Sequence, residues 1–348
     1  MVILGIESTA HTFGIGIVDK GKILCNVRDM YTTEKGGIIP VESAKHHREC
    51  AEDVYKKALE TSKINESEIS AIAISQAPGL APCLLEGMKF AKKKAMELSV
   101  PIIPVNHCVA HLEIGRVTGA TDPVLLYASG ANTQIIAYAA GKYRVFGETL
   151  DIGVGNFIDN FARYCGIGFP GGPKIMELAK TGKYIEIPYS IKGMDVSFSG
   201  LLTNLKQKYD KDEKIEDLSY SLQETAFAML VEASERALAH TGKSELLLGG
   251  GVGCNTRLQE MCKIMCEERG CKFFVPENSL LVDNGAMIAY LGEIIYDSII
   301  NINKRKKGGK EKEDNKNEVG KLIYYPKDFD KLDINPRERT DDVIVNWK

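Results

Sequence analysis

The chain has 348 residues, 44% of them hydrophobic and 26% charged, with 44 Lys and Arg against 47 Asp and Glu. That length suggests two domains, and that composition an ordinary globular protein. No apolar run of about 18 residues occurs, so no membrane span is expected. The net charge of −3 gives no general electrostatic footprint for nucleic acid.

The N-terminus, "MVILGIES", enters a strand directly and lacks the basic start of a signal peptide. "VILGIES", "FGIGIVD" and, after a turn at Lys20-Gly21, "KILCNVRD" read as a β-meander. "VESAKHHRECAEDVYKKALETS" is a long amphipathic helix, "AIAIS" a buried strand and "LLEGMKFAKKKAMEL" a second helix. "VPIIPV" then reads as a short strand, with Asn106 as N-cap of the next helix.

That helix opens with "NHCVAHLEIG", which puts His107 and His111 four residues apart in a chain with six histidines. At that spacing two imidazoles share one helix face and can share one ion. Two readings stay open: ordinary packing residues, or metal ligands in want of partners, since zinc needs at least three protein ligands.

Near residue 123 the pattern restarts. "VLLYASG" is a strand ending in a glycine turn, and "TQIIAYAA" with "KYRVFGETL" forms a hairpin at Gly141. Helices fill "FIDNFARYCG", "PKIMELAK" and the stretch from about Ile215 to His240. "ELLLGGGVGCNTRLQEMCKIMCEERG" reads strand, glycine turn, helix; "KFFVP" is another strand and "NGAMIAYLGEIIYDSII" a last helix. Two units of like pattern are expected: 1–122 and 123–302, the last helix packing back on the first. From 303 to about 320, "NKRKKGGKEKEDNKN" lacks apolar residues and is expected to be disordered. The rest, 321–348, reads as an irregular tail. Nine scattered cysteines without CxxC suit reduced thiols in a cytoplasmic protein.

Three strand-to-glycine junctions could cradle phosphate: Glu7–Thr9, Ser129–Gly130 and Gly249–Gly251, the last followed by Asn255 at a helix start. Glycine turns also simply let a strand meet a helix. Three successive glycines suit the close approach of a base or phosphate. Asp283 sits at a helix start, where N-capping is the plainer role. Asp159 reads as a helix-surface acid, and Tyr127 as an interruption of an apolar strand.

Together "GIESTAHTFGIGIV", "NHCVAHLEIG", "YASGANTQ", "PGGP", "SFSG", "GGGVGCN" and "DNGAMIA" resemble the universal tRNA N6-threonylcarbamoyladenosine transferases, once described as O-sialoglycoprotein endopeptidases. "ESTAHT" and "YASGANTQ" are most similar to the archaeal and eukaryotic branch, the catalytic subunit of the KEOPS complex. The resemblance implies an α/β, two-lobed actin-like ATPase fold with a cleft between similar domains. It implies transfer of a threonylcarbamoyl group from threonylcarbamoyl-AMP to N6 of the adenosine next to the anticodon (position 37) in tRNAs reading ANN codons. It implies one metal ion per subunit, iron or else zinc, held by His107, His111, Tyr127 and Asp283. Threonylcarbamoyl-AMP or ATP would be held by Tyr127, Ala128, Ser129, Gly130, Ala131, Asp159, Gly172 and Asn255. Met176 stands where the family usually has an acid, with Glu177 about 100° further round the helix, so a carboxylate contact to the ribose is in question and Met176 is expected to line the site by packing. The implied partners are tRNA, a small protein kinase (in some relatives fused past the position of Lys348), a dimerising subunit and a tRNA-binding subunit. No residue is assigned as general base; His11 is explained as well by structure.

Two rivals are weighed. A zincin protease has Glu directly after the first His of its motif, and here that residue is Cys108. A nucleotide-gated scaffold without chemistry has no use for the His pair. Because acids outnumber bases, the chain alone is expected to bind tRNA no tighter than about 1 μM at physiological salt. Titration with and without the other subunits checks this, and near-nanomolar binding by this chain alone, with a steep salt slope, contradicts it.

Overall fold

The computed structural model describes residues 1–33, 37–307 and 322–348, with 301–307 described for their backbone. Chain order begins with strands β1 (Val2–Glu7), β2 (Thr12–Asp19) and β3 (Lys22–Met30), helix α1 (Pro40–Ser62), β4 (Ile69–Ala77), α2 (Ala81–Leu98), β5 (Ile102–Asn106) and α3 (His107–Glu113). It continues with β6 (Val124–Ala128), β7 (Thr133–Ala139), β8 (Lys142–Glu148), α4 (Val154–Tyr164) and α5 (Gly172–Ala179). A two-stranded ribbon comes next, β9 (Ile191–Lys192) and β10 (Asp195–Val196), then α6 (Ser199–Tyr209) and α7 (Ile215–Thr241). Last come β11 (Glu245–Gly249), α8 (Thr256–Glu268), β12 (Lys272–Phe274), the short α9 (Asn278–Leu281) and α10 (Gly285–Lys307).

The chain forms two compact units. One comprises Met1–Tyr31, Ile38–Ile114 and Asp283–Lys348; the other comprises Thr32–Gly37 and Gly115–Val282. Each holds a five-stranded sheet of one topology: β3-β2-β1-β4-β5 in the first and β8-β7-β6-β11-β12 in the second. In each, a meander pairs antiparallel and two crossover strands add in parallel. The central strands are buried along nearly their whole length, which is why they read as continuous apolar runs.

The structure divides the chain at other boundaries than 122 and 302, with the last helix in the first unit. The first unit gives up its chain at Ile114, not 122, and takes everything from Asp283 onward. The reason is the close packing of α10 on β1 and β2. A Cβ on Gly5 would lie 2.2 Å from the Ala289 amide nitrogen, and one on Gly16 would lie 2.2 Å from that of Ala286. Ala286, Met287, Ile288 and Ala289 are fully buried there. Helix α10 also runs to Lys307, into the stretch expected to start as a loop at 303; the remainder of that stretch, 308–321, lies outside the described residues.

The tail from 322 to 348 is irregular but docked, with Phe329 and Leu332 joining the first unit's core. No helix among the described residues is long and apolar enough to cross a membrane. All nine cysteines are free, and burial pushes the Cys25 thiol up to about 11 and that of Cys266 to about 12.

Gly16→Ala should therefore lower stability by about 3 kcal/mol, because overpacking a rigid backbone contact is not relieved by side-chain motion. In a unit of this size that is a fall in apparent Tm of about 6–12 °C. Scanning calorimetry on both proteins measures it; a change under about 2 °C would mean that α10 is free to move off the sheet.

Candidate metal centre and nucleotide site

Helix α3 begins where β5 ends. The Asn106 side chain caps it, its Oδ1 accepting from the amides of Cys108 (3.0 Å) and Val109 (3.2 Å), as the sequence predicted. Both imidazoles then project from the first turns, with ring centroids 4.8 Å apart at 79°. Asp283 meets them from the start of the α10 segment. Its Oδ1 lies 3.3 Å from His107 Nε2 and 3.5 Å from His111 Nε2. Asp283 does not cap α10: the cap is Asn284, whose Oδ1 accepts from the Met287 amide at 2.9 Å. The plainer role expected for Asp283 is thus taken by its neighbour.

One carboxylate was not anticipated in this role. Glu7, at the end of β1 and fully buried, places Oε2 2.9 Å from His107 Nδ1. Its Oε1 accepts from the Thr9 amide at 2.7 Å and the Thr9 hydroxyl at 2.5 Å. A carboxylate on Nδ1 fixes the ring and its tautomer, so Nε2 is presented as a lone pair toward Asp283. A glutamate closing an otherwise apolar strand was the available signal.

The electrostatics suit ligands. Burial pushes the His111 imidazole below its usual range, against the pull of Asp283, so it is held neutral. Burial acts to raise the Asp283 carboxyl, but His107 and then His111 overturn that and hold it well below the usual carboxylate range. A neutral His111 imidazole and an ionised Asp283 carboxylate are donor forms that a metal takes. The three donor atoms lie within 4.8 Å of one another. Ligands about 2.1 Å from a tetrahedral ion stand about 3.4 Å apart. The two pairs at 3.3 and 3.5 Å fit that spacing.

The second unit holds the other expected residues. Tyr127 is the fourth residue of β6, 1% exposed and paired across the sheet with Gln134 and Gly249. The turn after it, Ala128–Ala131, is gripped by the start of α4: the Gly155 amide donates to Ser129 O at 3.1 Å and the Asn156 amide to Gly130 O at 2.9 Å. From the other side comes Gly250, at φ +87°, where a Cβ would lie 2.4 Å from Ala128 O. Gly250 is thus a glycine because backbone passes backbone, not because a ligand must approach. Gly251 differs: a Cβ there meets only Val282, at 3.8 Å.

Asn255 caps α8, accepting from the Arg257 amide at 2.9 Å, while its Nδ2 donates to Gln223 Oε1 at 2.8 Å. Asp159 is on α4, and its Oδ1 accepts from the Gly171 amide at 2.8 Å. That bond fixes the entry to α5, which starts at Gly172 and carries Met176. The Thr256 hydroxyl donates to Met176 Sδ at 3.9 Å, whereas Glu177 turns to solvent and pairs with Lys180 at 2.5 Å. Glu177 therefore does not replace the missing acid. Met176, Gln223, Thr256 and the Glu224–Arg257 pair (two bonds of 2.8 Å) line a cavity of about 410 Å³, a volume in the range of small-molecule sites.

The family model described as TsaD, tRNA N6-adenosine threonylcarbamoyltransferase, matches residues 22–290. A Thermococcus kodakarensis protein described as tRNA N6-adenosine threonylcarbamoyltransferase is 58% identical over 298 residues, covering 85% of this chain and 92% of that one. A Methanosarcina mazei protein, described as a probable bifunctional tRNA threonylcarbamoyladenosine biosynthesis protein, is 51% identical over 350 residues, covering 99% of this chain but 59% of that one. Among solved structures, full-length HypF in a phosphate- and nucleotide-bound form superposes with a TM-score of 0.56 at 14% identity, over 84% of this chain and 55% of that one. The Acidaminococcus fermentans (R)-2-hydroxyglutaryl-CoA dehydratase component A gives 0.53 at 11% identity, over 84% and 98%. At such identities the likeness concerns fold alone. With the duplicated sheet topology, it gives this chain an α/β fold of the actin-like kind.

Zinc titration of metal-stripped protein should show one tight site per chain. His107→Ala and Asp283→Asn should abolish it, and Glu7→Ala should weaken it about 10- to 100-fold, the usual cost of losing a ligand's orienting partner. Equal affinity in His107→Ala and the wild type would dispose of the metal reading.

Proposed function

This chain belongs to the tRNA N6-adenosine threonylcarbamoyltransferase family, and from that premise we propose how its residues divide the reaction. Family membership makes it an enzyme acting on tRNA. We infer that the donor is threonylcarbamoyl-AMP and the acceptor the N6 amine of the adenosine next to the anticodon. The amine nitrogen attacks the carbamoyl carbon. The new N–C bond forms as the bond from that carbon to the phosphate oxygen breaks. AMP leaves with the electron pair, and N6 gives up a proton.

The observation that carries the reading is the convergence of His107 Nε2, His111 Nε2 and Asp283 Oδ1, with Glu7 behind His107. These residues would hold the ion, with Tyr127 as a further ligand by the family motif. When bound, an iron or zinc ion would supply Lewis-acid polarisation and neutralise charge on the phosphate. The chain's own contribution is position. N6 of adenosine is a weak nucleophile, so orientation and leaving-group stabilisation must supply most of the acceleration. Glu7 and Asn106 hold the imidazoles in place. In the second unit Asn255, Gly172, Asp159 and the Tyr127–Ala131 turn would hold the adenylate, and Met176 its ribose by packing. No side chain is assigned to take the N6 proton.

The endopeptidase alternative lacks its base, because Cys108 follows His107 and is 1% exposed. The bifunctional name of the Methanosarcina mazei relative supports a kinase partner. A dimerising subunit and a tRNA-binding subunit complete the proposed KEOPS-type assembly, in the cytoplasm.

A transfer assay with threonylcarbamoyl-AMP, tRNA and the partner subunits tests this. His107→Ala should lose at least about 100-fold in kcat/KM. Gly251→Val should keep the wild-type Tm and raise the KM for the adenylate about tenfold, because its side chain enters open space beside Asn255. Full transfer by His107→Ala would leave the chain a scaffold.

A further inference from the structure

The tail carries only two short 3-10 turns, at Pro326–Lys331 and Thr340–Asp342. It is nonetheless fastened along the first unit at closely spaced points. Tyr324 and Ile102 exchange backbone bonds of 2.8 Å in both directions at the free edge of β5. Phe329 and Leu332 are buried, and Lys92 Nζ donates to Leu332 O at 2.6 Å. The Asn335 amide donates to Gln76 O at 3.1 Å, and the Gly79 amide to Pro336 O at 3.2 Å.

Past these anchors, the Ser298 hydroxyl of α10 donates to Asn346 Oδ1 at 3.2 Å, and the other long-range contacts fall on α3 and its cap. Glu338 Oε2 accepts from Asn106 Nδ2 at 2.9 Å. Thr340, two residues further on, is buried. Trp347 Nε1 donates to Glu113 Oε1 at 3.2 Å, and Lys348 Nζ lies 3.8 Å from the same oxygen. The tail thus reaches the cap and the last residue of a helix only seven residues long. So short a helix does not hold itself together in water. Its first-turn amides depend on one side-chain oxygen, that of Asn106. Because that oxygen takes two backbone amides, the other end of the Asn106 amide must find an acceptor, and Glu338 is it.

We propose that the C-terminal tail is a positioning strap for the histidine-bearing helix, with Glu338 setting the Asn106 cap and Trp347 tying down the far end at Glu113. The role of this helix as ligand carrier rests on the proposed metal centre. Glu338 and Trp347 touch no reacting atom; they act through Asn106 and Glu113. Neither contact is legible in the sequence, although Trp347 is its one tryptophan, since 232 positions separate Glu338 from its partner and 234 separate Trp347 from its own.

Hydrogen exchange on the metal-free full chain tests the strap without relying on any ion. In Glu338→Ala, exchange of segment 105–114 should rise about tenfold, the scale of a lost cap, while β2 keeps its protection. Glu338→Gln retains an acceptor oxygen and should restore most of the protection. Trp347→Phe, which removes the donor and keeps an aromatic ring, should loosen the segment's C-terminal half. Zinc affinity should fall about tenfold in Glu338→Ala and recover in Glu338→Gln. Unchanged exchange in Glu338→Ala overturns the strap. So does faster exchange with unaltered zinc affinity in a wild type that binds zinc, because the helix would then loosen without moving its ligands. A wild type that binds no zinc overturns the metal reading instead, and the exchange result still decides whether the tail holds the helix.

Discussion

Everything at the candidate metal centre hangs on the bare-backbone contact between α10 and its sheet. Gly5 and Gly16 offer no side chain, Gly285 on the helix offers none, and a Cβ on Gly285 would stand 2.3 Å from the Gly16 amide. Helix and strands therefore meet at a separation that side chains elsewhere prevent. Each pair of atoms gains only about 0.1–0.2 kcal/mol, but along several turns the sum is large and stiff. Asp283 lies two residues before Gly285, so the helix's seating is also the carboxylate's. A shift of about 1 Å at a reacting centre can cost about a hundredfold in rate. The glycines of "GIES", "FGIGIV" and "DNGAMIA" are a distance standard for Asp283, the candidate ligand that the start of α10 brings to the two histidines.

The second constraint is electrostatic, and it works against stability. Glu7, His107 and His111 are buried, and Asp283 is nearly so. Placing carboxylates and imidazoles in a dry core costs several kcal/mol per ion before pairing returns some of it. Well-packed apolar residues would hold β1, α3 and α10 together at less expense. Buried titratable groups gathered in one place, with His111 and Asp283 shifted by their surroundings, are the pattern of a working site. Glu7 serves both sides of the balance: it satisfies the Thr9 amide and hydroxyl with one oxygen and orients His107 with the other.

What could be read without coordinates was local. The period-2 and period-3.6 patterns placed the meanders and crossover helices, and Asn106 was legible as a cap because capping acts over two or three residues. The i, i+4 spacing placed both imidazoles on one face for the same reason. What escaped was long-range. Glu7 meets His107 across 100 positions, and Glu338 meets Asn106 across 232. Glu7 stands out only as the acid that closes an apolar strand, and Glu338 has no local mark that sets it apart from the acids around it. The sequence pattern led to the expectation that α10 packs back on the first unit, and the glycines of β1 and β2 are what let it seat there. The exchange of roles between Asp283 and Asn284 turns on a single residue of helix phase, below the resolution of any pattern. Met176 and Glu177 show the same limit in reverse. The 100° between them was readable, and it does send Glu177 to solvent and a lysine, leaving Met176 facing Thr256.

The repeated topology explains why glycine-rich junctions in one chain serve different ends. In sheet order β1 and β6 are equivalent, each the first strand of a meander and each flanked in parallel by a crossover strand. The chain leaving β1 runs Glu7-Ser8-Thr9 and spends its polar atoms internally: the Ser8 amide on Ser75 Oγ at 3.0 Å, the Thr9 amide on Glu7. That junction is closed and rigid, suited to aiming an imidazole. The chain leaving β6 runs Ala128-Ser129-Gly130 and is braced from outside, by the amides of α4 and by Gly250 pressed on Ala128 O. With Gly250 committed to that brace, Gly251 is the glycine of the triplet left facing open space, next to the Asn255 cap. A triplet that looks like one motif is then two devices in series, a backbone crossing and an opening. It is the opening, at the positive end of α8, that has the chemistry to receive an anionic ligand.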